Sequence, residues 1–116
     1  MNSRLLGAFG EQEAARLLRK KGYTIKSANF RTYVGEIDIV AENEEYICFV
    51  EVKTRTEGAM LPPRSAVGVH KEKNIEGSAA IYMKRYPTKK LPRYDIIEVI
   101  VNDDKDVKLN HIERAF

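Results

Sequence analysis

The segment from Gly35 to Arg55 most constrains the fold of this chain, because it places charged residues inside apolar, β-like sequence. It reads GEIDIVAENEEYICFVEVKTR, in which an acidic turn separates two apolar runs. Residues two apart on a strand point to the same face of a sheet, so Glu51 and Lys53 share one face of the second run. The sequence therefore predicts a hairpin that carries charges on a surface that would otherwise be buried.

Folding this hairpin through the turn at Glu42–Glu45 brings further acids to the same surface. Asp38 then faces Phe49 or Glu51, depending on a two-residue shift of register. Both registers preserve the alternation of side chains and leave the same four charged residues on one surface: Glu36, Asp38, Glu51 and Lys53. Carboxylates that converge on a sheet face are unfavourable unless a cation neutralises them, so the arrangement indicates a divalent metal site.

Length and composition are those of one globular domain. The 116 residues suffice to bury a core, and residues 1–116 are predicted to form a single domain. No apolar run is long enough to span a membrane, and charges interrupt the N-terminal apolar stripe, which argues against a signal peptide. The single cysteine, Cys48, excludes an internal disulfide and favours a reduced, cytoplasmic setting with no membrane partner.

The charge distribution is more informative than the net charge of +3. Every charged residue between Ala14 and Gly35 is basic, the hairpin that follows is acidic, and basic residues again predominate from Arg64 to Arg93. Carboxylates flanked by cations would suit a site that cleaves a polyanion such as nucleic acid. Solvated helix faces are the commoner explanation of charge clusters taken alone.

Hydrophobic periodicity and turn residues predict an α/β fold in which helices flank a mixed β-sheet. Ser3 is the expected N-cap of the first helix, and Gly7 and Gly10 would let that helix approach the sheet closely. The first helix is expected at Ser3–Lys21. Three strands should follow: Tyr23–Ala28, then Thr32–Val34 continued by Glu36–Ala41 after a bend at Gly35, and then Tyr46–Thr54. After a loop at Gly58–Pro63 we expect a helix from about Ser65 to Tyr86 and a final hairpin of Tyr94–Val101 and Lys108–Ile112.

The hairpin residues have the chemistry that hydrolysis of a phosphodiester requires. Mg²⁺ or Mn²⁺ needs hard oxygen ligands and open water positions, and Asp38 and Glu51 are the best ligand candidates, together with the carbonyl of Val52. Lys53 could orient the attacking water or stabilise charge at phosphorus, and Glu36 could act through a second metal or a bound water. The competing interpretation is a solvent-exposed hairpin with cross-strand ion pairs.

Several motifs resemble one known family from end to end. They are Gly10-Glu11 with Gly22-Tyr23, Asn29-Phe30-Arg31, Gly35-Glu36-Ile37-Asp38, Phe49-Val50-Glu51-Val52-Lys53-Thr54-Arg55 and Arg93-Tyr94-Asp95. Together they resemble the YraN-like family of small endonuclease-like proteins, within the PD-(D/E)XK restriction-endonuclease-like superfamily. The segment FVEVKTR is the most specific of these matches.

The resemblance implies a restriction-endonuclease-like αβββαβ core in which Asp38, Glu51 and Lys53 form the signature triad. It also favours Glu11 over Glu13 as an additional acidic metal ligand, because archaeal Holliday-junction resolvases of this superfamily place a helix-one Glu at the same distance before the Gly. The resemblance does not supply a substrate.

Four basic residues are candidates for contacts with phosphates: Arg31, Arg55, Lys71 and Lys73. The alternative for the two arginines is a surface salt bridge to Glu36 or Glu57. The chain departs from the family pattern at Val69–Gly77, where a K-x-x-R-type basic run is replaced, which weakens the expected backbone contact from the second helix.

These observations predict a metal-dependent endonuclease that acts on DNA rather than RNA, on branched or otherwise structured substrates. A non-catalytic nucleic-acid-binding module that retains the nuclease fold is the alternative, and a protein-interaction adaptor is a third hypothesis. Cleavage of two strands often uses a homodimer. Tyr33 would pack beside the hairpin or stack on a base, and His70 and His111 are expected to be surface or capping residues, since neither has a partner at ligand spacing.

Overall fold

The computed structural model describes residues 2–58, 68–104 and 106–116 of the chain. The order of elements is the predicted one, with three strands between two helices and a final hairpin. The elements are α1 (Ser3–Lys20), β1 (Thr24–Arg31), β2 (Glu36–Glu42), β3 (Tyr46–Thr56), α2 (Val69–Arg85), β4 (Leu91–Val101) and β5 (Val107–Ile112). None of the described helices is long and apolar enough to cross a membrane.

The five strands form one sheet in the order β1-β2-β3-β4-β5. Neighbouring strands are antiparallel except β3 and β4, which are parallel because the chain returns through α2 between them. The sheet is therefore mixed, and β3 is its central strand, as the sequence predicted. The parallel pairing runs from Tyr46 opposite Leu91 to Thr56 opposite Val101, so β3 is supported along its whole length.

Each helix packs on its own face of the sheet. Alternate residues of β3 enter two separate core clusters, with Cys48 and Val50 on the α1 side and Ile47 and Phe49 on the α2 side. The α1 side is closed by Ala14, Leu18 and neighbouring residues. The α2 side is closed by Ile75, Ala79 and Tyr82. A strand covered on both faces reads as a continuous apolar run, which explains the sequence of β3.

The regular alternation of side chains fails in β2, contrary to expectation. Ile37 lies in the core on the α2 side, whereas Ile39, two residues later, lies in the core on the α1 side. Asn29 of β1, which the register Ala28–Ile39 and Phe30–Ile37 sets opposite Asp38, has a φ of 54° in the left-handed region. Side-chain alternation therefore does not place Glu36 and Asp38 on a common face. The prediction that these two residues share one surface of the hairpin is wrong.

Helix α1 approaches the central strand closely at Gly10. A Cβ atom added at Gly10 would lie 1.7 Å from the Oγ1 atom of Thr54, whereas one added at Gly7 would meet nothing within 4 Å. Only glycine fits at the first of these positions, which confirms the predicted close approach. This contact fixes the height of α1 over β3 and with it the position of the adjacent Glu11.

Several element boundaries differ from the prediction for local hydrogen-bonding reasons. The N-cap of α1 is Asn2 rather than Ser3, because Asn2 Oδ1 accepts a hydrogen bond from Leu5 N at 2.9 Å. Residues 32–35 form a turn instead of strand, because Thr32 Oγ1 accepts from the backbone N–H groups of Val34 and Gly35. The predicted loop after Gly58 and the start of the second helix near Ser65 lie largely outside the described residues.

A buried polar cluster attaches the last strand to the rest of the sheet. Asp95 is fully buried and accepts hydrogen bonds from Arg93 Nη2 at 2.8 Å and from His111 Nε2 at 2.7 Å. Lys21 Nζ lies 2.8 Å from His111 Nδ1, and since an ammonium can only donate, Nε2 of His111 carries the hydrogen that Asp95 accepts. With its side chain only 2% exposed, His111 is not the surface residue that we expected.

Candidate functional site

The candidate site lies where β2 and β3 separate. Their backbone pairing ends with Ile39 opposite Val50, a register that aligns Asp38 with Glu51 rather than with Phe49. Beyond this pair the N–H of Val52 donates to Asp38 Oδ2 at 2.8 Å. The carboxylate of Asp38 thus takes the place of a backbone acceptor at the point where the ladder opens.

Residues from four elements line a shallow pocket of about 400 Å³ at this opening. Glu11 comes from α1, Asp38 from β2, Glu51 and Val52 from β3, and Lys71 from α2. The structure therefore brings together Asp38, Glu51, Val52 and Glu11, which the sequence analysis proposed as metal ligands. The residue pattern could pair only the hairpin residues, and the family resemblance pointed to Glu11. The packing of the two helices on the sheet brings Glu11 and Lys71 to them.

Crowded carboxylates give the pocket an unusual electrostatic state. Burial, and then the negative charge of Glu51, raise the pKa of Asp38 from 3.8 to about 7, against the lowering effect of the hydrogen bond from Val52. Burial and the charges of Glu36 and Glu51 also raise the pKa of Glu11. A bound cation would relieve this mutual repulsion.

In the described structure the cation nearest these acids is Lys71. Its ammonium forms a salt bridge with Glu51, whose side chain is only 5% exposed. Burial of the ammonium lowers the pKa of Lys71, but the hydrogen bond to Glu51 and the charges of Glu51 and Asp38 outweigh it, and the net shift is upward. Lys71 was predicted to contact nucleic acid, and here it contacts the acidic site itself.

Asn29 belongs to the site although the sequence analysis assigned it no role. In the amide orientation that gives both of its polar atoms a suitable partner, Nδ2 donates to Glu11 Oε1 and to Glu36 Oε1, each at 2.9 Å. The left-handed backbone of Asn29 accompanies this contact. Asn29 therefore links the acid on α1 to the acid at the start of β2. The resemblance in the motif Asn29-Phe30-Arg31 was the available signal.

The remaining predicted residues, Glu36 among them, are not part of the described lining of the pocket. Lys53 is half-buried on β3, where it stands opposite Glu98 of β4, a carboxylate that is itself buried. Arg31 lies 3.8 Å from Glu36 in an exposed salt bridge, which is the alternative that the sequence analysis left open. Neither Arg55 nor Lys73 is among the described lining residues.

The donor set fits a divalent metal that retains several waters. Within residues 2–58, 68–104 and 106–116, no group of three or more His, Cys, Asp or Glu side chains is arranged to bind a metal. Mg²⁺, however, is commonly bound through one or two carboxylates and keeps part of its hydration shell. The carboxylates of Asp38 and Glu51 and the carbonyl of Val52 satisfy that description.

Comparison with known proteins places the chain in a family. The model of the uncharacterised protein family UPF0102 matches residues 10–99, a range that includes most of α1, all of α2, the first three strands and most of β4. The chain belongs to the UPF0102 family.

Relatives in the UPF0102 family match over nearly their whole length. A UPF0102 protein of Caldanaerobacter subterraneus subsp. tengcongensis is 44% identical over 119 residues, covering 100% of this chain and 98% of the relative. One from Syntrophomonas wolfei is 43% identical over 116 residues, covering 98% and 99% respectively. One from Clostridium acetobutylicum is 43% identical over 115 residues, covering 95% and 92%. The family description states no activity.

Proposed function

We propose that this protein is a metal-dependent endonuclease that hydrolyses phosphodiester bonds in DNA, with branched or otherwise structured DNA as its substrate. The observation that carries the proposal is the convergence of Glu11, Asp38, Glu51 and Val52 on one pocket at the opening of the sheet. The resemblance to YraN-like and PD-(D/E)XK proteins supports the same reaction. The basic segments on both sides of the hairpin suit a polyanionic substrate.

Asp38, Glu51 and the Val52 carbonyl would hold Mg²⁺ or Mn²⁺, with Glu11 as a further acidic group. The metal, when bound, supplies charge neutralisation at phosphorus and a more acidic water. The protein prepares for it by burying Asp38 among other acids, so that binding of a cation relieves repulsion. The N–H of Val52 fixes Asp38 Oδ2 and thereby the direction of this carboxylate.

Basic and polar residues around the pocket have separate roles in this proposal. If Glu51 held a metal, Lys71 would no longer be needed to neutralise it, and its ammonium could bind a phosphate oxygen. Lys53 orients the attacking water or stabilises negative charge on the phosphorane. Asn29 donates to both Glu11 and Glu36 and thereby restrains Glu11 where it lines the pocket.

A cleavage screen with Mg²⁺ and Mn²⁺ tests the proposal directly. The substrates are linear duplex, single-stranded, flap and four-way-junction DNA, each with an RNA counterpart. We expect Asp38→Asn and Lys53→Ala to abolish cleavage while DNA binding persists, and Glu44→Gln, an exposed substitution in the β2–β3 turn, to behave as the parent. Equal cleavage by the Asp38→Asn and parent proteins would show that another protein in the preparation is responsible or that the proposed site is wrong.

The contact between Lys71 and Glu51 favours a second candidate function, a nucleic-acid-binding module without catalysis. In that case Lys71 would permanently neutralise Glu51 and substitute for the metal. The two functions differ in one measurable respect, since a binding module would bind DNA equally well with EDTA or Mg²⁺ and would cleave none of the substrates. Lys71→Ala would then weaken DNA binding without changing any metal response.

A further inference from the structure

A second groove extends from the candidate site along the length of α1. It has a volume of about 660 Å³ and runs between α1 and the strands β1 and β2. Glu11 and Asp38 line both this groove and the pocket described above, so the two spaces meet at the same acids. Away from the acids the groove is lined by Arg16 and Arg19.

The periodicity of α1 accounts for this row of side chains. The groove contains residues 8, 11, 12, 15, 16 and 19 of the helix, which are spaced by three or four positions and therefore lie on one face. At a rise of about 1.5 Å per residue, Arg16 and Arg19 lie roughly 7 and 12 Å along the helix axis from Glu11. The groove thus passes from acidic at the candidate site to basic at its far end.

Between these charges the groove is lined by small and aliphatic side chains. Ala15 of α1 and Ala28 of β1 line the groove, together with Ile25 and Ile39 of the sheet. Alanines leave room above the backbone, and the partly buried Ile25 offers an aliphatic surface for sugars or bases, whereas Ile39 is buried beneath it. Arg16 forms a salt bridge of 3.5 Å with Glu13, and because the side chain of Arg16 is 75% exposed, a phosphate could replace this partner.

We infer that this groove binds the sugar–phosphate backbone of one nucleic-acid strand on one side of the scissile phosphate. Arg16 and Arg19 contact successive phosphates of that strand as it leaves the acidic site. Guanidinium groups suit this task because their planar donors match phosphate oxygens in pairs. The inference rests on the proposed function, and it adds a strand path and two positioning residues to it.

The charge gradient favours a strand over a free nucleotide as the occupant. A mononucleotide bound at the arginines would leave Glu11 and Asp38 unneutralised, since its phosphate would lie a helical turn or more away. A strand can occupy both ends of the groove at once. The scissile phosphate would lie at the acids together with the bound metal ion, and the next phosphates of the same strand would lie at the arginines. The groove is open at the surface, which permits a chain to continue beyond Arg19.

The test compares Arg16→Gln, Arg19→Gln and the double variant with Lys20→Gln, a matched loss of charge on the same helix. Lys20 is exposed and is not among the described residues that line the groove. Binding of fluorescein-labelled single-stranded and flap DNA is measured by anisotropy with Ca²⁺ present, over a range of KCl concentrations. A second series extends the strand stepwise, first on one side of the cleavage position and then on the other.

We expect each arginine substitution to weaken binding about tenfold, with Lys20→Gln close to the parent. The double variant should lower the slope of log Kd against log salt by about 1.5, because its binding to DNA makes two fewer phosphate contacts and therefore releases fewer counterions. The parent should gain affinity when the strand is lengthened on one side only. The double variant should lose that gain.

Three results would overturn the inference. They are an unchanged affinity in the double variant, an equal loss in Lys20→Gln, and a dependence on strand length that is the same in parent and double variant. Each of these leaves the proposed endonuclease activity intact if the parent still cleaves in an Asp38-dependent manner. Failure of the parent to bind or cleave any nucleic acid would instead refute the proposed function, and the strand path with it.

Discussion

Replacing Asp38 by asparagine should make the protein more stable while it abolishes activity. Asp38 is half-buried beside Glu51 and Glu11, so its ionised form is disfavoured in the folded state, and its pKa is raised from 3.8 to about 7. Asparagine has nearly the same shape and can still accept the hydrogen bond from Val52 N through its amide oxygen. The variant therefore removes a repelling charge and keeps the local geometry.

The size and pH dependence of the gain follow from linkage. Between pH 4 and pH 7 the folded parent binds more protons than the unfolded chain, so its free energy of unfolding falls as pH rises through this window. A change in pKa from 3.8 to about 7 corresponds to an upper limit of about 4 kcal/mol. Loss of the attraction to Lys71 offsets part of this, and we expect a gain of about 1–3 kcal/mol at pH 8. The gain should vanish below pH 4.

Urea unfolding monitored by circular dichroism, at pH values from 4 to 8, measures this difference. Glu44→Gln, in the exposed turn between β2 and β3, removes a carboxylate outside the site and should show no comparable gain. Mg²⁺ provides a second readout, because a ligand at a hundred times its Kd stabilises the folded state by about 2.7 kcal/mol. The parent should gain stability from Mg²⁺, and Asp38→Asn should not. An Asp38→Asn protein that is less stable than the parent at pH 8, or a difference independent of pH, would refute the electrostatic reasoning.

Two further predictions concern the framework that positions the site. Gly10→Ala should lower the free energy of unfolding by about 1–3 kcal/mol because its methyl group would overlap Thr54, whereas Gly7→Ala should raise it by about 0.5–1 kcal/mol through helix propensity. Urea titration distinguishes the two, and equal effects would contradict the close contact. Asp95→Asn should cost up to about 3–5 kcal/mol at pH 7, because Arg93 would lose its buried carboxylate partner and keep only the longer salt bridge to Glu113 at 3.5 Å. Hydrogen bonds from His111 and Arg93 lower the pKa of Asp95 despite its burial, so its contribution is present above pH 4 and is lost as the pH falls further, which acid titration of parent and variant would reveal.

The buried cluster around Asp95 shows why some residues were misassigned from sequence. His111 has no cysteine or second histidine at ligand spacing, and sequence reasoning therefore placed it at the surface. Its partners are Asp95, in the middle of β4, and Lys21, at the C-terminal end of α1. These residues are distant in sequence, and only the pairing of β5 with β4 brings them together.

Asn29 and Lys71 illustrate the same limit at the candidate site. Asn29 links acids from α1 and β2, and Lys71 reaches Glu51 from a helix that follows it by almost twenty residues. No periodicity relates these positions, because their proximity depends on how helices pack on the sheet. The prediction from alternating side chains also failed at Ile37–Ile39, because it assumes a regular strand and β2 is irregular there.

The sequence by itself determined the order of the elements, the central position of β3 and the Asp38–Glu51 pairing as one of two registers. These features depend on local hydrophobic patterns and on a short turn, both of which are encoded by neighbouring residues. Tertiary structure alone decided which register is used, and it brought Glu11 and Lys71 to the hairpin acids. The reason is physical: close packing at Gly10 and the separation of β2 from β3 set distances between segments that no local pattern specifies.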